Sequence, residues 1–315
     1  MERFPRGLAA MAKALFGATF LLVIAGGLVT STGSGLSVPD WPTTYGQNMF
    51  TFPPSKWVGA IRFEHTHRLI AATVGMLTVA LAAWALAARA PRTVRRLSVA
   101  AVAVVVTQGV LGGLTVKYLL PTPISVGHAC LAQGFFALTL AIAIVTSKAW
   151  REGDAGAGGS IAPGAAAAAA IFAQLVLGAW MRHSDAGLAI PDFPASFGHL
   201  VPDHWNARIA VHFAHRFGAV AVAATVFSAA LAVRRTREDA ASRRLAGAMS
   251  LLVPAQVALG AFSIWTRKAV PVTVAHQTLG AVLLALSVAL AMTLSRRPAA
   301  ARAFLPSAWP VRRPA

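Results

Sequence analysis

The chain has 315 residues, 57% hydrophobic and 12% charged, with a mean hydropathy of +0.63. That composition excludes an ordinary soluble domain and reads as a polytopic membrane protein. The net charge of +18 does not point to nucleic acid, because the cations are not gathered on one soluble face.

A helix needs about 20 apolar residues to cross the hydrocarbon core. The sequence predicts eight such spans, near 10–30, 59–88, 97–117, 121–147, 162–182, 206–233, 245–266 and 270–295. The first run follows Arg3 and Arg6, as the core of a cleaved signal peptide does. It is read instead as a span, because it is full length and has a counterpart at 162–182. Of the 28 Lys and Arg, 19 lie in the N-terminus, the segments around Arg89 to Arg96, Lys148 to Arg151 and Arg234 to Arg244, and a basic tail from Arg296. The positive-inside bias puts these segments and both termini in the cytoplasm, with the tail able to touch anionic lipid. The single cysteine, Cys130, lies within the fourth run, which excludes an intramolecular disulfide and suggests an inert buried thiol.

In chain order, an outer loop carrying Gly35-Leu36-Ser37-Val38-Pro39-Asp40-Trp41-Pro42 follows the first span. The second span, preceded by Trp57, carries Glu64-His65-Thr66-His67-Arg68; the third carries Gln108 and Gly112, and the fourth Pro123 and His128. A Gly- and Ala-rich stretch from Ser147 to Gly164 reads as a flexible cytoplasmic linker. After the fifth span the pattern returns. A loop with Gly187-Leu188-Ala189-Ile190-Pro191-Asp192-Phe193-Pro194 leads to Trp205 and the sixth span, with His212-Phe213-Ala214-His215-Arg216. Gln256 and Gly260 follow on the seventh, and Pro271 and His276 on the eighth. His67 and His128 stand 61 residues apart, as do His215 and His276; an offset of 148 relates the helices and one of 152 the outer loops.

A duplication of about four helices explains this pattern. An even number of spans per unit leaves both facing the same way, about a pseudo-two-fold axis along the membrane normal. The predicted fold is all-α, with eight transmembrane helices in two tandem, parallel four-helix bundles. The expected divisions are 1–147, a linker at 148–163, 164–295 and the tail at 296–315.

Each histidine pair puts two imidazoles at similar depth on different helices. Such a pair can hold a haem iron from both faces, whereas zinc normally takes three or four ligands. Ionisable groups at membrane depth are costly and usually functional, so a duplicated pair outweighs packing as its explanation. Arg68 and Arg216 are placed to meet haem propionates, or alternatively to snorkel to the interface. Trp57 and Trp205 suit an aromatic belt, and Asp40 and Asp192 turns in loops that cap each bundle. The halves differ at Glu64, replaced in the repeat by His212. A carboxylate three residues before His67 shares its helix face and is placed to act on a haem substituent; the plainer alternative is a salt bridge to Arg62 or Arg68. His65 and His212 are weaker candidates, and His183, His199 and His204 read as outer-loop residues.

The duplicated set (Glu64-x-x-His67-Arg68, His128, His215-Arg216, His276 and both Pro-Asp-aromatic-Pro loops) resembles the haem A synthases over nearly the whole chain. The resemblance implies a multi-pass enzyme of the bacterial cell (inner) membrane. It would oxidise the C8 methyl of haem O, through an alcohol and a dihydroxymethyl stage, to the formyl group of haem A for cytochrome c oxidase. It implies substrate haem O held by His67 and His128, with Glu64 catalytic and Arg68 binding, and a cofactor haem b held by His215 and His276 with Arg216. Delivery by the haem O-forming protohaem farnesyltransferase is implied by the family, while the electron acceptor and any homo-oligomer stay open. The outer-loop cysteine pair of some members is missing, which puts a thiol-based role in doubt. The rival readings are a dihaem b-type cytochrome, which leaves Glu64 idle, and a parallel-repeat transporter with histidine proton relays.

Overall fold

The computed structural model describes residues 5–152, 154–155 and 159–297. Among these, eight helices are long and apolar enough to cross a membrane. Helices α1 (Arg6–Ser31), α2 (Ile61–Ala87), α3 (Arg92–Lys117) and α4 (Thr122–Thr146) precede a one-turn helix, α5 (Lys148–Glu152). Helices α6 (Ala162–His183), α7 (Ala207–Thr236), α8 (Ala240–Trp265) and α9 (Val270–Leu294) complete the set.

The expected spans are all present, and the helices overrun some of them into basic sequence. Helix α3 starts at Arg92 rather than 97, and α7 runs on through Arg234 and Arg235. Long cationic side chains snorkel to water while their backbone stays helical, so hydropathy misplaces such ends. Starts are set by local chemistry. Pro123, Pro163 and Pro271 occupy first-turn positions, where no backbone N–H is missed. Asn206 and Asp239 cap α7 and α8 by accepting from the amides of Ile209 at 3.0 Å and Ser242 at 2.8 Å.

The linker is less featureless than its composition implied. Besides α5, its residues Asp154–Ala155 pair antiparallel with Arg296–Arg297, a two-residue ladder at the edge of an otherwise all-α fold. Linker residues 153 and 156–158, Arg3 and the tail beyond 297 lie outside the described residues.

Helices α1 to α4 pack as a ring, α1 and α3 each lying against α2 and α4; α6 to α9 do the same, α6 and α8 each lying against α7 and α9. The rings meet where α1 touches α9 and α4 touches α6 and α9. Each ring has its own apolar core, one around Leu15, Leu81 and Ile142, the other around Ile171, Met249 and Leu290. A third cluster seals the junction, with Phe136 of α4 stacked on Phe16 of α1 at 5.0 Å between centroids. In lipid, helix association rests on close packing rather than on expulsion of water, so small residues matter. Gly164 of α6 is a case: an added Cβ would lie 2.6 Å from the Cα of Ala291 on α9.

The two outer loops fold alike. Asp40 accepts from the amides of Tyr45 at 2.7 Å and Gly46 at 2.8 Å and from the Thr43 hydroxyl; Asp192 accepts from the amides of Phe197 and Gly198, both at 2.8 Å. Both aspartates therefore form the turns expected of them, around backbone of positive φ at Tyr45, Gly46, Phe197 and Gly198. Burial pushes the Asp40 carboxyl up, but the Thr43, Gly46 and Tyr45 hydrogen bonds prevail and hold it below the ordinary aspartate value. Asp192 is held low by the Gly198 and Phe197 amides. Trp41–Pro42 and Phe193–Pro194 are both cis.

Candidate functional site

His67, His128 and His276 are each the seventh residue of their helices, α2, α4 and α9, and His215 is the ninth of α7. Helices α2 and α7 start at the loops of Asp40 and Asp192, and α4 and α9 at the short connections 118–121 and 266–269 on the same side, so the imidazoles lie at similar depth. Each ring edge abuts a glycine of a neighbouring helix. A Cβ added at Gly26 of α1 would lie 3.3 Å from Cε1 of His67, and one at Gly112 of α3 would lie 3.1 Å from Cε1 of His128. In the second ring the distances are 3.1 Å from Gly178 of α6 to His215 and 3.2 Å from Gly260 of α8 to His276. Four glycines thus make room for four histidines: a Cβ at any of them would press on an imidazole, which would have to give by a few tenths of an ångström.

Hydrogen bonds fix the backbone and ring behind these seats. Gln108 donates to the carbonyl of His128 at 2.8 Å, and Gln256 donates to that of His276 at 3.0 Å. The Nδ1–H of His276 donates to the Gln256 carbonyl at 3.1 Å, which leaves Nε2 as the free lone pair. Gln174 of α6 donates to the carbonyl of His215 at 2.7 Å and lies 3.1 Å from its Nδ1. Nδ1 of His67 is buried without a hydrogen-bond partner among the described residues.

His215 and His276 face each other with ring centroids 6.4 Å apart. Two imidazoles bound to one metal through bonds of about 2 Å, with roughly 1 Å from nitrogen to ring centre, have centroids about 6 Å apart. The observed separation, with the ring planes at 68° to each other, matches the spacing that one shared ion requires. His67 and His128 lie within electrostatic reach of each other. Among the described residues no group of three or more His, Cys, Asp or Glu could hold a metal by itself. Two ligands suffice where a porphyrin supplies the remaining four, so the donor set suits haem.

Glu64 is 3% exposed and uses both carboxylate oxygens. Oε1 pairs with Arg68 at 2.6 Å, and Oε2 accepts from the amide of Val38 at 2.8 Å. Of the two salt-bridge partners considered, Arg68 is the one engaged; Arg62 lies over the Phe63 ring. Arg68 also donates to the carbonyls of Val38 at 2.9 Å, Asp40 at 2.6 Å and Thr43 at 3.0 Å. Arg216 donates likewise to Ile190 at 3.1 Å, Asp192 at 2.6 Å and Ala195 at 2.8 Å. Both terminal nitrogens of each guanidinium are thus committed to the outer loop in front of it, an arrangement the expected propionate contact did not foresee. In the second half His212 takes the place of Glu64: its Nδ1 accepts from the amide of Ile190 at 3.2 Å.

His65 is fully buried, 3.2 Å from the Thr44 hydroxyl through Nδ1 and packed on Phe52 and Trp57 at 5.1 and 4.7 Å between centroids. Its counterpart is Phe213, against which Trp205 packs at 5.4 Å. Each tryptophan therefore has a ring partner within its own half, and Trp205 is 52% exposed. His199 and His204 lie in the outer loop, His204 pairing with Asp203, but His183 is the last residue of α6 and accepts a bond from Thr122 of α4 through its carbonyl. Cys130 is a free thiol, only partly buried. Sequence reasoning missed Gly26, Gly178, Gln174 and Arg182. The two glycines were detectable, because they stand at the same 152-residue offset as the outer loops.

The fold and the site define a multi-pass membrane protein with paired interior histidines in each of two helix rings. The family model described as cytochrome oxidase assembly protein, COX15-CtaA, matches residues 56–288. A heme A synthase of Symbiobacterium thermophilum is 33% identical, the match covering 81% of this chain and 85% of that protein. A heme A synthase of Sphingopyxis alaskensis is 30% identical over 92% of this chain and 93% of its own length. One from Shouchella clausii is 33% identical over 64% and 67%. The chain belongs to the COX15-CtaA family.

Proposed function

We propose that this protein is a haem A synthase, an oxidoreductase that converts the C8 methyl of haem O to a formyl group. The observation that carries the reading is the repeated histidine seat with a latching carboxylate in only one of its copies. His212 shows that a histidine can hold the outer-loop amide, so the latch alone does not require the carboxylate found at Glu64.

In this reading His67 and His128 hold the substrate haem O in the half formed by residues 1–147. His215 and His276 hold a haem b in the half formed by residues 164–295. A bound haem b supplies one-electron redox chemistry between ferric and ferrous iron. The protein's own residues do the rest. Gly26, Gly112, Gly178 and Gly260 admit the imidazoles, and Gln256 sets the His276 tautomer. Arg68 and Arg216 hold each outer loop down and put positive charge at the mouth of each site, where propionates are accommodated. Glu64 retains acceptor capacity, since a carboxylate offers about four lone-pair sites and two are used here. It takes up a proton, or stabilises positive charge developing beside it, at the substrate methyl. The distribution of Lys and Arg supports an inner-membrane orientation with both termini cytoplasmic. Haem O would arrive from a haem O-forming farnesyltransferase, and electrons would leave to an external acceptor.

The test is co-expression with a haem O-forming enzyme, followed by chromatography of the extracted haems. Haem A is expected, and accumulation of haem O alone overturns the assignment.

A further inference from the structure

Arg182 is the penultimate residue of α6, partly buried where the two rings meet. Its Nη1 donates to Oε1 of Gln277 at 3.1 Å, and its Nη2 donates to the Ser31 hydroxyl at 2.5 Å and, more weakly, to the Gly27 carbonyl at 3.4 Å. Gln277 donates in turn to the Val23 carbonyl at 3.3 Å, and Thr273 of α9 donates to Ser31 at 3.0 Å. The partners of Arg182 are therefore neutral groups of α1 and α9. Among the described residues no carboxylate lies within salt-bridge distance of it. One of those partners, Gln277, directly follows His276, and the charge of Arg182 reaches that imidazole. At the offset that relates α1 to α6, its counterpart is Thr30, whose hydroxyl only closes a bond to the Gly26 carbonyl at 3.0 Å.

The two sites thus differ in charge as well as in chemistry. Beside His67 the cation of Arg68 is paired with Glu64; beside His276 stands an extra cation with no carboxylate against it among the described residues. From this placement, and resting on the haem reading above, we infer that Arg182 is a positioning residue that raises the reduction potential of the iron held by His215 and His276. Reduction adds one electron to that iron and removes one unit of positive charge from the site. A fixed neighbouring cation favours the reduced form, the more so where little water screens it. The C-terminal site is thereby biased toward accepting electrons.

The experiment is a mediated redox titration, with dithionite as reductant, of the full-length protein carrying His67→Ala, so that His215 and His276 form the remaining paired site. Arg182→Gln is expected to lower the midpoint potential with the bis-histidine absorption spectrum unchanged, while Arg182→Lys keeps most of the wild-type value. Ser31→Asp provides a second route, since it sets a carboxylate against the guanidinium without removing it, and is expected to shift the potential in the same direction. An unchanged potential in both Arg182→Gln and Ser31→Asp overturns the inference. Loss of haem in Arg182→Gln combined with a wild-type potential in Ser31→Asp overturns it as well, and reduces Arg182 to a helix clamp. Absence of haem from the parent protein would instead overturn the haem assignment itself.

Discussion

The two helix rings solve the same structural problem with different residues. In each, an arginine after the first histidine gathers loop carbonyls, and a side chain one turn earlier accepts the amide of the residue two before the loop aspartate. That side chain is a carboxylate in the first ring and an imidazole in the second. The residue after it is His65 in one and Phe213 in the other. Where the copies agree, the residues build the shared seat and its latch; where they differ at the latch itself, the scaffold does not dictate the choice, since Glu64 and His212 both hold the loop amide. A single four-helix bundle with Glu64 bound to Arg68 would have read as an ordinary buried ion pair. The second ring, which does without it, makes the difference informative.

The comparison breaks most visibly at the ligands. His276→Ala is expected to remove haem b completely while the first ring still takes haem O, and His67→Ala to do the reverse. Absorption spectra and extracted haems of the two purified variants check this. If one substitution empties both sites, the rings do not bind independently.

The glycine seats sharpen the comparison at a smaller scale. Gly260→Val pushes a side chain into the His276 ring, and Gly112→Val does the same to His128. Loss of groups that orient a metal ligand typically costs about 10- to 100-fold in affinity. Each variant should weaken haem retention by that order in its own ring, measured by haem transfer to a scavenger protein. Equal losses from both rings would contradict the assignment of seats.

The smallest effect concerns acid. Asp40 and Asp192 have folded-state values below those of the unfolded chain, so their contribution to loop stability is complete above the ordinary aspartate range. It is lost as pH falls through the lowered values, when the carboxylates protonate and release the Tyr45, Gly46, Phe197 and Gly198 amides. Both residues are only partly buried and solvent screens their hydrogen bonds, so the loss is modest. Hydrogen exchange at these amides should accelerate, relative to its intrinsic rate, below about pH 4 in both loops and not above it. Asp40→Asn and Asp192→Asn should show the accelerated behaviour at neutral pH.

Much of this was legible in the sequence. Hydropathy located the eight spans, because apolar length is nearly all that a bilayer asks of a helix. The equal spacing of His67–His128 and His215–His276 exposed the pairs, and the repeated Pro-Asp-aromatic-Pro strings exposed the two loops. What stayed hidden depends on where side chains find partners in space. Nothing in the order of residues says that Arg68 reaches the carbonyls of residues 38, 40 and 43, or that Glu64 and His212 bind equivalent amides. Arg182 was invisible for a stronger reason: its surroundings come from α1 and α9, and exist only once the two rings meet. The glycine seats fall between these cases, since their positions repeat while their purpose appears only when an imidazole lies against each one.

In the proposed reaction the carboxylate of the first ring acts on the substrate, and its latch function is incidental. Glu64→His tests this most directly, because it rewrites the first ring in the residue that the second already uses to hold its loop. With haem O supplied in the cell, the account predicts that chromatography of extracted haems finds haem O and haem b retained and haem A reduced by about 100-fold or more, the scale of a lost acid–base group. Haem A at the wild-type level in that variant would contradict the account.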